Sequence, residues 1–437
     1  MVKRPNSFKE PLPTKKPKHN LADEEILSDE AEDDNLENQD EFFEPEESPE
    51  EKRIRLSKEL IKQAEEASGN NKEEVENILN QTALDTKGRL TIEIADNLND
   101  HYEASFAKGH LLGVTCIALM PDNKKCISGS KDCCLIIWNL ETMQKEHIIK
   151  GFRHDRKYGG HFDEIMCVAV SDDSKYIASA GKDRIVRIWD GQTYTSVENF
   201  KGHRDTVNAM KFCPNSHILF TAASDRCVKV WNLDDMVFMD TLYGHQSFIF
   251  DIDTYPGEKA ITCSYDLSVR LWKTLEESQF VYNGHTQSID CAKIINADHF
   301  VTGSQDGSIG LWKTGRKKPE KYFKDLHGGK WITSLAVLKR SDLLASGSSD
   351  GWIRLYKVSE GEIELKASVE AFGYITSLDF SKDGKYLVAG VSPDHRFGRW
   401  TETIKVKPGI LIIDLDLSET RQAFINQFQN KVNFDNI

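Results

Sequence analysis

Nowhere in the 437-residue chain does an apolar run approach the roughly 18 residues that a membrane-spanning helix requires. The opening Met1-Val2-Lys3-Arg4-Pro5 leads into no apolar stretch, so a secretory signal is not expected and the protein should act inside the cell. Metal or redox spacing is also missing from the cysteines. None of the nine forms a C-x-x-C pair, and Cys116, Cys167 and Cys291 sit among apolar neighbours, so they read as reduced, buried thiols. No P-loop, nucleophile elbow, zinc-binding or kinase pattern occurs. These absences argue against an enzyme. They leave no catalytic residue, metal ligand or cofactor to name.

Lys and Arg are wholly absent from residues 23–51. Residues 1–51 hold 6 basic and 17 acidic side chains, a net of −11, while the remaining 386 hold 50 against 53, a net of −3. The acidity belongs to the N-terminal tail. A stretch that repels itself and has little apolar mass to bury should be disordered. A near-neutral body lacks the broad basic surface of a non-specific nucleic-acid coat, though not a local basic patch. Ahead of the acidic run, Lys3-Arg4 and Lys15-Lys16-Pro17-Lys18 stand ten residues apart, the spacing of a bipartite nuclear-import signal.

A helical pattern opens at Ser48-Pro49, with Ile54, Ile61 and Ala64 on one side, and a second over 72–84 aligns Val75, Ile78 and Leu79. Helices this short build no core alone, so they should dock on the rest of the chain or on a partner. The expected division is a tail at 1–50, a helical extension at 51–86, a repeat domain at 87–417 and a C-terminal tail at 418–437.

The repeat domain is the most informative part. Histidines His110, His161, His203, His245 and His285 each follow a glycine, and His327 holds the same phase with its glycine after it. An aspartate comes 21 to 23 residues later: Asp132, Asp183, Asp225, Asp266, Asp306 and Asp350. Six residues beyond each stands an aromatic: Trp138, Trp189, Trp231, Trp272, Trp312 and Tyr356. A hydroxyl precedes each aspartate by four: Ser128, Ser179, Thr221, Thr262, Thr302 and Ser346. A seventh copy keeps Asp394 and Trp400 but has Phe372 for the histidine and Gly390 for the hydroxyl. Most intervals are 40 to 44 residues; the first is 51.

This period and these marks resemble the WD40 family. The resemblance implies an all-β, seven-bladed propeller in which each His, Ser/Thr, Asp and Trp set forms a buried hydrogen-bonded chain, a structural role and not a catalytic one. Residues 101–107 and Gly409–Leu417 both suit the outer strand of the last blade, and the expectation is that only one is needed.

Beside the repeat marks lie candidate RNA contacts. Lys131, Lys182, Arg184, Arg226 and Arg396 flank the aspartates, Arg204 follows a Gly-His, and Arg399 precedes Trp400. The long first interval adds Phe152-Arg153-His154-Asp155-Arg156-Lys157-Tyr158, in which Arg153, Arg156, Lys157 and Tyr158 combine cations with rings. Cations meet phosphates and rings stack on unpaired bases. A solvated loop is the plainer reading of the same residues. Arg316-Lys317-Lys318, with Lys321 and Lys324, should lie toward the opposite face.

One branch of the WD40 family is matched more closely: the WD-repeat subunit of the U3 small nucleolar ribonucleoprotein. The run Glu51-Lys52-Arg53-Ile54-Arg55-Leu56, Gly88-Arg89-Leu90, His161-Phe162-Asp163-Glu164-Ile165-Met166-Cys167, Trp331-Ile332-Thr333-Ser334-Leu335 and above all Asp394-His395-Arg396-Phe397-Gly398-Arg399-Trp400 are similar to that branch. The resemblance implies an RNA-binding scaffold in the nucleolus. It would bind the box B/C region of U3 small nucleolar RNA beside a small kink-turn-binding protein. It would serve the small-subunit processome in pre-rRNA cleavage toward 18S rRNA. Two other classes stand beside it. A ubiquitin-ligase substrate receptor usually carries Trp-Asp-x-Arg, and Trp189-Asp190-Gly191-Gln192 lacks the arginine. A protein-only scaffold would use the N-terminal helices to pair with a partner.

Overall fold

The computed structural model describes residues 91–99, 102–151, 159–359, 361–398 and 406–417, with scattered positions between 54 and 89. The tail at 1–50, most of the helical extension and the 418–437 segment lie outside the described residues. The rest is a seven-bladed, all-β propeller: seven antiparallel sheets of four strands each. The innermost strands begin at Val114, Ile165, Val207, Ile249, Ile289, Ile332 and Tyr374, and each packs against the innermost strand of the next blade. β-Branched and aromatic residues suit these pleated, two-sided surfaces.

Burial falls outward along each blade. In the second blade Ile165–Val170 and Tyr176–Gly181 are almost wholly buried, whereas the outer strand Ser196–Lys201 buries only Phe200. One sheet cannot cover its own faces, so adjacent blades share their cores. Cys167, Ala178 and Ile188 of the second blade pack in one cluster with Val207, Met210 and Trp231 of the third.

Every innermost strand carries a β-bulge, at its second residue in the first six blades and at its third, Thr376, in the seventh. In several blades the residue it frees from the ladder bonds the innermost strand of the neighbouring blade. Thr115 Oγ1 donates to the Ile165 carbonyl at 2.6 Å, Asn208 Nδ2 to Ile249 at 2.7 Å, and Thr376 Oγ1 to Val114 at 2.9 Å. The last of these joins the seventh blade to the first.

Ring closure differs from the expectation that one terminal strand suffices. Both are used. Gly409–Asp414 is the third strand of the last blade, paired with Tyr386–Ser392, and Ala104–Lys108 is the fourth, paired with Gly409–Asp414. The Asp394–Trp400 spacing imitates the other blades, yet the buried third-strand position opposite Val388 belongs to Ile412. The preceding segment straps the end of the ring opposite the Gly-His loops. Ile92 bridges Ser341, and Asp342 Oδ1 accepts from the Ile94 and Ala95 amides at 2.8 and 3.1 Å. Ile92, Ile94 and Ala95 are buried in the core shared by the last two blades.

Candidate nucleic-acid interface

Antiparallel topology puts the Gly-His loops, between blades, and the aspartate turns, between second and third strands, at one end of the ring. The repeat residues hold that end in shape. In the second blade Trp189 Nε1 donates to Ser179 Oγ at 2.7 Å, Ser179 Oγ meets His161 Nε2 at 2.7 Å, and His161 Nδ1 meets Asp183 Oδ2 at 2.7 Å. With the tautomer assigned from this network, protons point one way: indole to hydroxyl, hydroxyl to imidazole, imidazole to carboxylate. The same chain runs through His110, Ser128, Asp132 and Trp138, through His203, Thr221, Asp225 and Trp231, and through His245, Thr262, Asp266 and Trp272. In the sixth blade His327 bonds Asp350 and Ser346 despite its displaced glycine, with Tyr356 in the aromatic place.

Burial pushes the His161 and His245 imidazoles down and keeps them neutral. Burial alone would raise Asp266, but hydrogen bonds from His245, Ser268 and the Gln246 amide hold it far below the usual carboxylate range. The fifth blade departs from the pattern. His285 Nε2 reaches Thr302 at 2.7 Å, but its buried Nδ1 has no partner among the described residues, because Asp306 accepts from Thr286 Oγ1 and Ser308 Oγ instead. Burial pushes His285 down to about 4.

The seventh blade puts its marks to other use. Phe372 is 65% exposed and makes no such chain. Asp394 Oδ2 instead takes the Lys131 ammonium at 3.0 Å, and Lys131 Nζ also donates to the His395 carbonyl at 2.7 Å. The next residues reach across the channel mouth. His395 stacks on Trp331 of the sixth blade with centroids 4.1 Å apart, and Phe397 meets Phe250 of the fourth at 4.9 Å. Arg396 lies over the Phe397 ring at 4.4 Å and donates to the Phe250 carbonyl at 2.8 Å. The Trp331 indole in turn donates to Asp290 of the fifth blade. One segment thus touches three other blades and, through Trp331, is linked to a fourth.

The basic candidates therefore separate. Lys131 is buried in its pair with Asp394, and Arg396, half-buried, donates to the Phe250 carbonyl across the channel mouth. Lys182 is paired with Glu164 at 2.6 Å. Arg184, Arg204 and Arg226 are exposed on the loop end. The Arg184 guanidinium donates to the Arg204 carbonyl at 3.3 Å, which joins two of them. Arg153, Arg156, Lys157, Tyr158, Arg399 and Trp400 lie outside the described residues, as do Lys3, Arg4, Lys15, Lys16 and Lys18.

The aspartate turn needs a left-handed residue after the aspartate. Gly307 and Gly351 fill it in two blades, but Arg184 sits there at φ 62° and Arg226 at φ 68°. A side chain in that conformation costs about 1 kcal/mol relative to glycine, a cost the turn also bears at Cys133 (φ 67°) and Leu267 (φ 64°). The sequence reading missed two neighbours, Lys229 and Tyr243, which line one groove with Arg204 and Arg226. The signal was available in Tyr243-Gly244-His245, an aromatic directly ahead of a repeat mark. Among the described residues no group of three or more His, Cys, Asp or Glu is placed to hold a metal.

A family model of the WD domain, G-beta repeat, matches residues 103–139, 153–190, 194–232, 236–273, 276–313, 320–357 and 364–400. The chain belongs to the WD40 repeat family. Within that family this WD40 protein is homologous to human U3 small nucleolar RNA-interacting protein 2, at 36% identity over 393 residues, 85% of this chain and 83% of the relative. It is similar to Ribosomal RNA-processing protein 9 of Saccharomyces cerevisiae at 24% identity over 323 residues, 56% of each chain. The solved structure of U3-55K superposes with a TM-score of 0.69 at 36% identity, covering 72% of this chain and 98% of that one.

Proposed function

We propose that this WD40 ring is a scaffold subunit of the U3 small nucleolar ribonucleoprotein. It binds U3 RNA at the box B/C region beside a small kink-turn-binding protein, and acts in the nucleolus in pre-rRNA processing toward 18S rRNA. The observation that carries the reading is kinship over 85% of the chain to a protein named for its interaction with U3 small nucleolar RNA. The yeast relative is named for ribosomal RNA processing, which supports the pathway. The arc of Arg184, Arg204 and Arg226 is the contact the geometry favours. Planar guanidinium forks suit phosphates, and a fixed ring reads the shape of folded RNA more readily than its sequence. A near-neutral body fits an RNA-binder that needs a protein already on the RNA. Leu111, 88% exposed, and Phe372, 65% exposed, lie on loops of the same end and suit that protein neighbour.

The test is crosslinking in nuclear extract, recovery of the full chain and sequencing of the attached RNA. Enrichment of U3 RNA, with reads clustered at box B/C, is the expected result. Recovery of protein partners with no RNA above background would replace the reading with a protein-only scaffold.

A further inference from the structure

The groove on the outer corner of the third blade has the makings of a nucleotide site. It has a volume of about 410 Å³, and its walls include Arg204, Arg226, Lys229, Thr241 and Tyr243. Arg204 comes from the Gly-His loop, Arg226 from the aspartate turn, and Tyr243 from the end of the outer strand, where its backbone pairs with Cys227. Among the described residues the guanidiniums of Arg204 and Arg226 make no ion pair or hydrogen bond. Lys229 is already engaged, donating to Thr241 Oγ1 at 3.0 Å and lying 4.7 Å from the centroid of the Phe238 ring. The carboxylate in the groove, Asp225, is also engaged. It accepts from His203 at 2.9 Å, the Arg204 amide at 3.0 Å and the Cys227 amide at 3.1 Å. The free chemistry of the groove is therefore two guanidiniums and one aromatic ring, Tyr243, which is 70% exposed.

We infer that this groove takes one unpaired nucleotide of the bound RNA, its phosphate held by Arg204 and Arg226 and its base stacked on Tyr243. The inference rests on the RNA reading above and adds to it a site for a single splayed base. Two arginines on separate loops can pinch one phosphate from both sides. An exposed ring offers a face to any base, so the contact favours single-stranded over paired RNA without choosing a sequence. An acidic peptide would satisfy the arginines equally but would leave the ring unused, which makes Tyr243 the discriminating residue.

The experiment titrates the full chain with labelled hexauridylate, with the same hexamer lacking its bases, and with a hexaglutamate peptide. Tyr243→Ala is expected to weaken hexauridylate by about tenfold, while Tyr243→Phe stays within about twofold of the wild type. The baseless hexamer is expected to bind the wild type and Tyr243→Ala alike. The side chain is exposed, so the variants should keep the wild-type Tm. The inference is overturned if Tyr243→Ala binds hexauridylate as the wild type does, or if hexaglutamate binds as tightly as hexauridylate. Arg226→Glu in nuclear extract separates that failure from a wider one. If it loses U3 RNA, only the base site falls; if it keeps U3 RNA, the assignment of the arginine arc falls with it.

Discussion

His285 differs from its five counterparts by one hydrogen bond, and the difference is measurable. His203→Ala should leave Thr221 and Asp225 without their partner, at a cost of about 1–3 kcal/mol in denaturant unfolding. His285→Ala should cost less, because Asp306 already accepts from Thr286 and Ser308. The spacing of histidine and aspartate was plain in the sequence. The diverted carboxylate was not, because the hydroxyl of Thr286 competes for it only once the loop is folded. A pH dependence follows from the same residue. An unfolded imidazole titrates near 6.5 and His285 in the ring near 4. Between those values the unfolded chain binds the extra proton, so stability should rise with pH across that window and fall away on acidification. Asp290, pushed up to about 7 by burial, acts with the opposite sign, so the comparison is between variants. Denaturation midpoints followed from pH 4 to 6.5 should show a shallower slope in His285→Ala than in the wild type. Arg226, held at φ 68°, gives a further expectation. Arg226→Gly should leave Tm unchanged or raised while RNA binding falls. A lowered Tm would mean that the arginine serves the fold.

At the scale of elements, the seven-fold pattern was readable because each blade repeats one set of marks. The last blade was misread because its Asp394–Trp400 interval copies the others, although Gly409–Asp414 supplies the third strand. The same interval hid the part played by the family-like run His395-Arg396-Phe397-Gly398. Of its residues only Arg396, beside the aspartate, reads as an RNA candidate, and folding sets the run across the channel mouth. Sequence spacing cannot show that a lysine 263 positions away is the partner of Asp394. Both charges are buried, so removing one should be costly. Lys131→Met is expected to destabilise the ring by about 3–5 kcal/mol, and the double change with Asp394→Leu should recover much of that loss. Equal unfolding midpoints for the single and double variants would show that the pair is not coupled.

The whole molecule is a closed ring whose last sheet takes strands from both ends of the repeat domain, so the platform is continuous around its axis. Its two ends differ. The loop end carries the exposed arginines Arg184, Arg204 and Arg226. The far end carries the strap and the exposed basic run Arg316-Lys317-Lys318, where Arg316 faces Glu320 at 3.7 Å. Net charge gave no hint of this division, since opposite charges nearly cancel over the body. Only the topology, which gathers Gly-His loops and aspartate turns at one end, brings Arg184, Arg204 and Arg226 together. The most direct measurement is therefore a comparison of ends. Full-length Arg204→Glu/Arg226→Glu and Arg316→Glu/Lys317→Glu are recovered in parallel from nuclear extract, and U3 RNA is quantified on each. The loop-end pair should lose U3 RNA and the far-end pair should keep it. Retention of U3 RNA by the loop-end pair, with loss by the other, would contradict the assignment and move the interface to the opposite face.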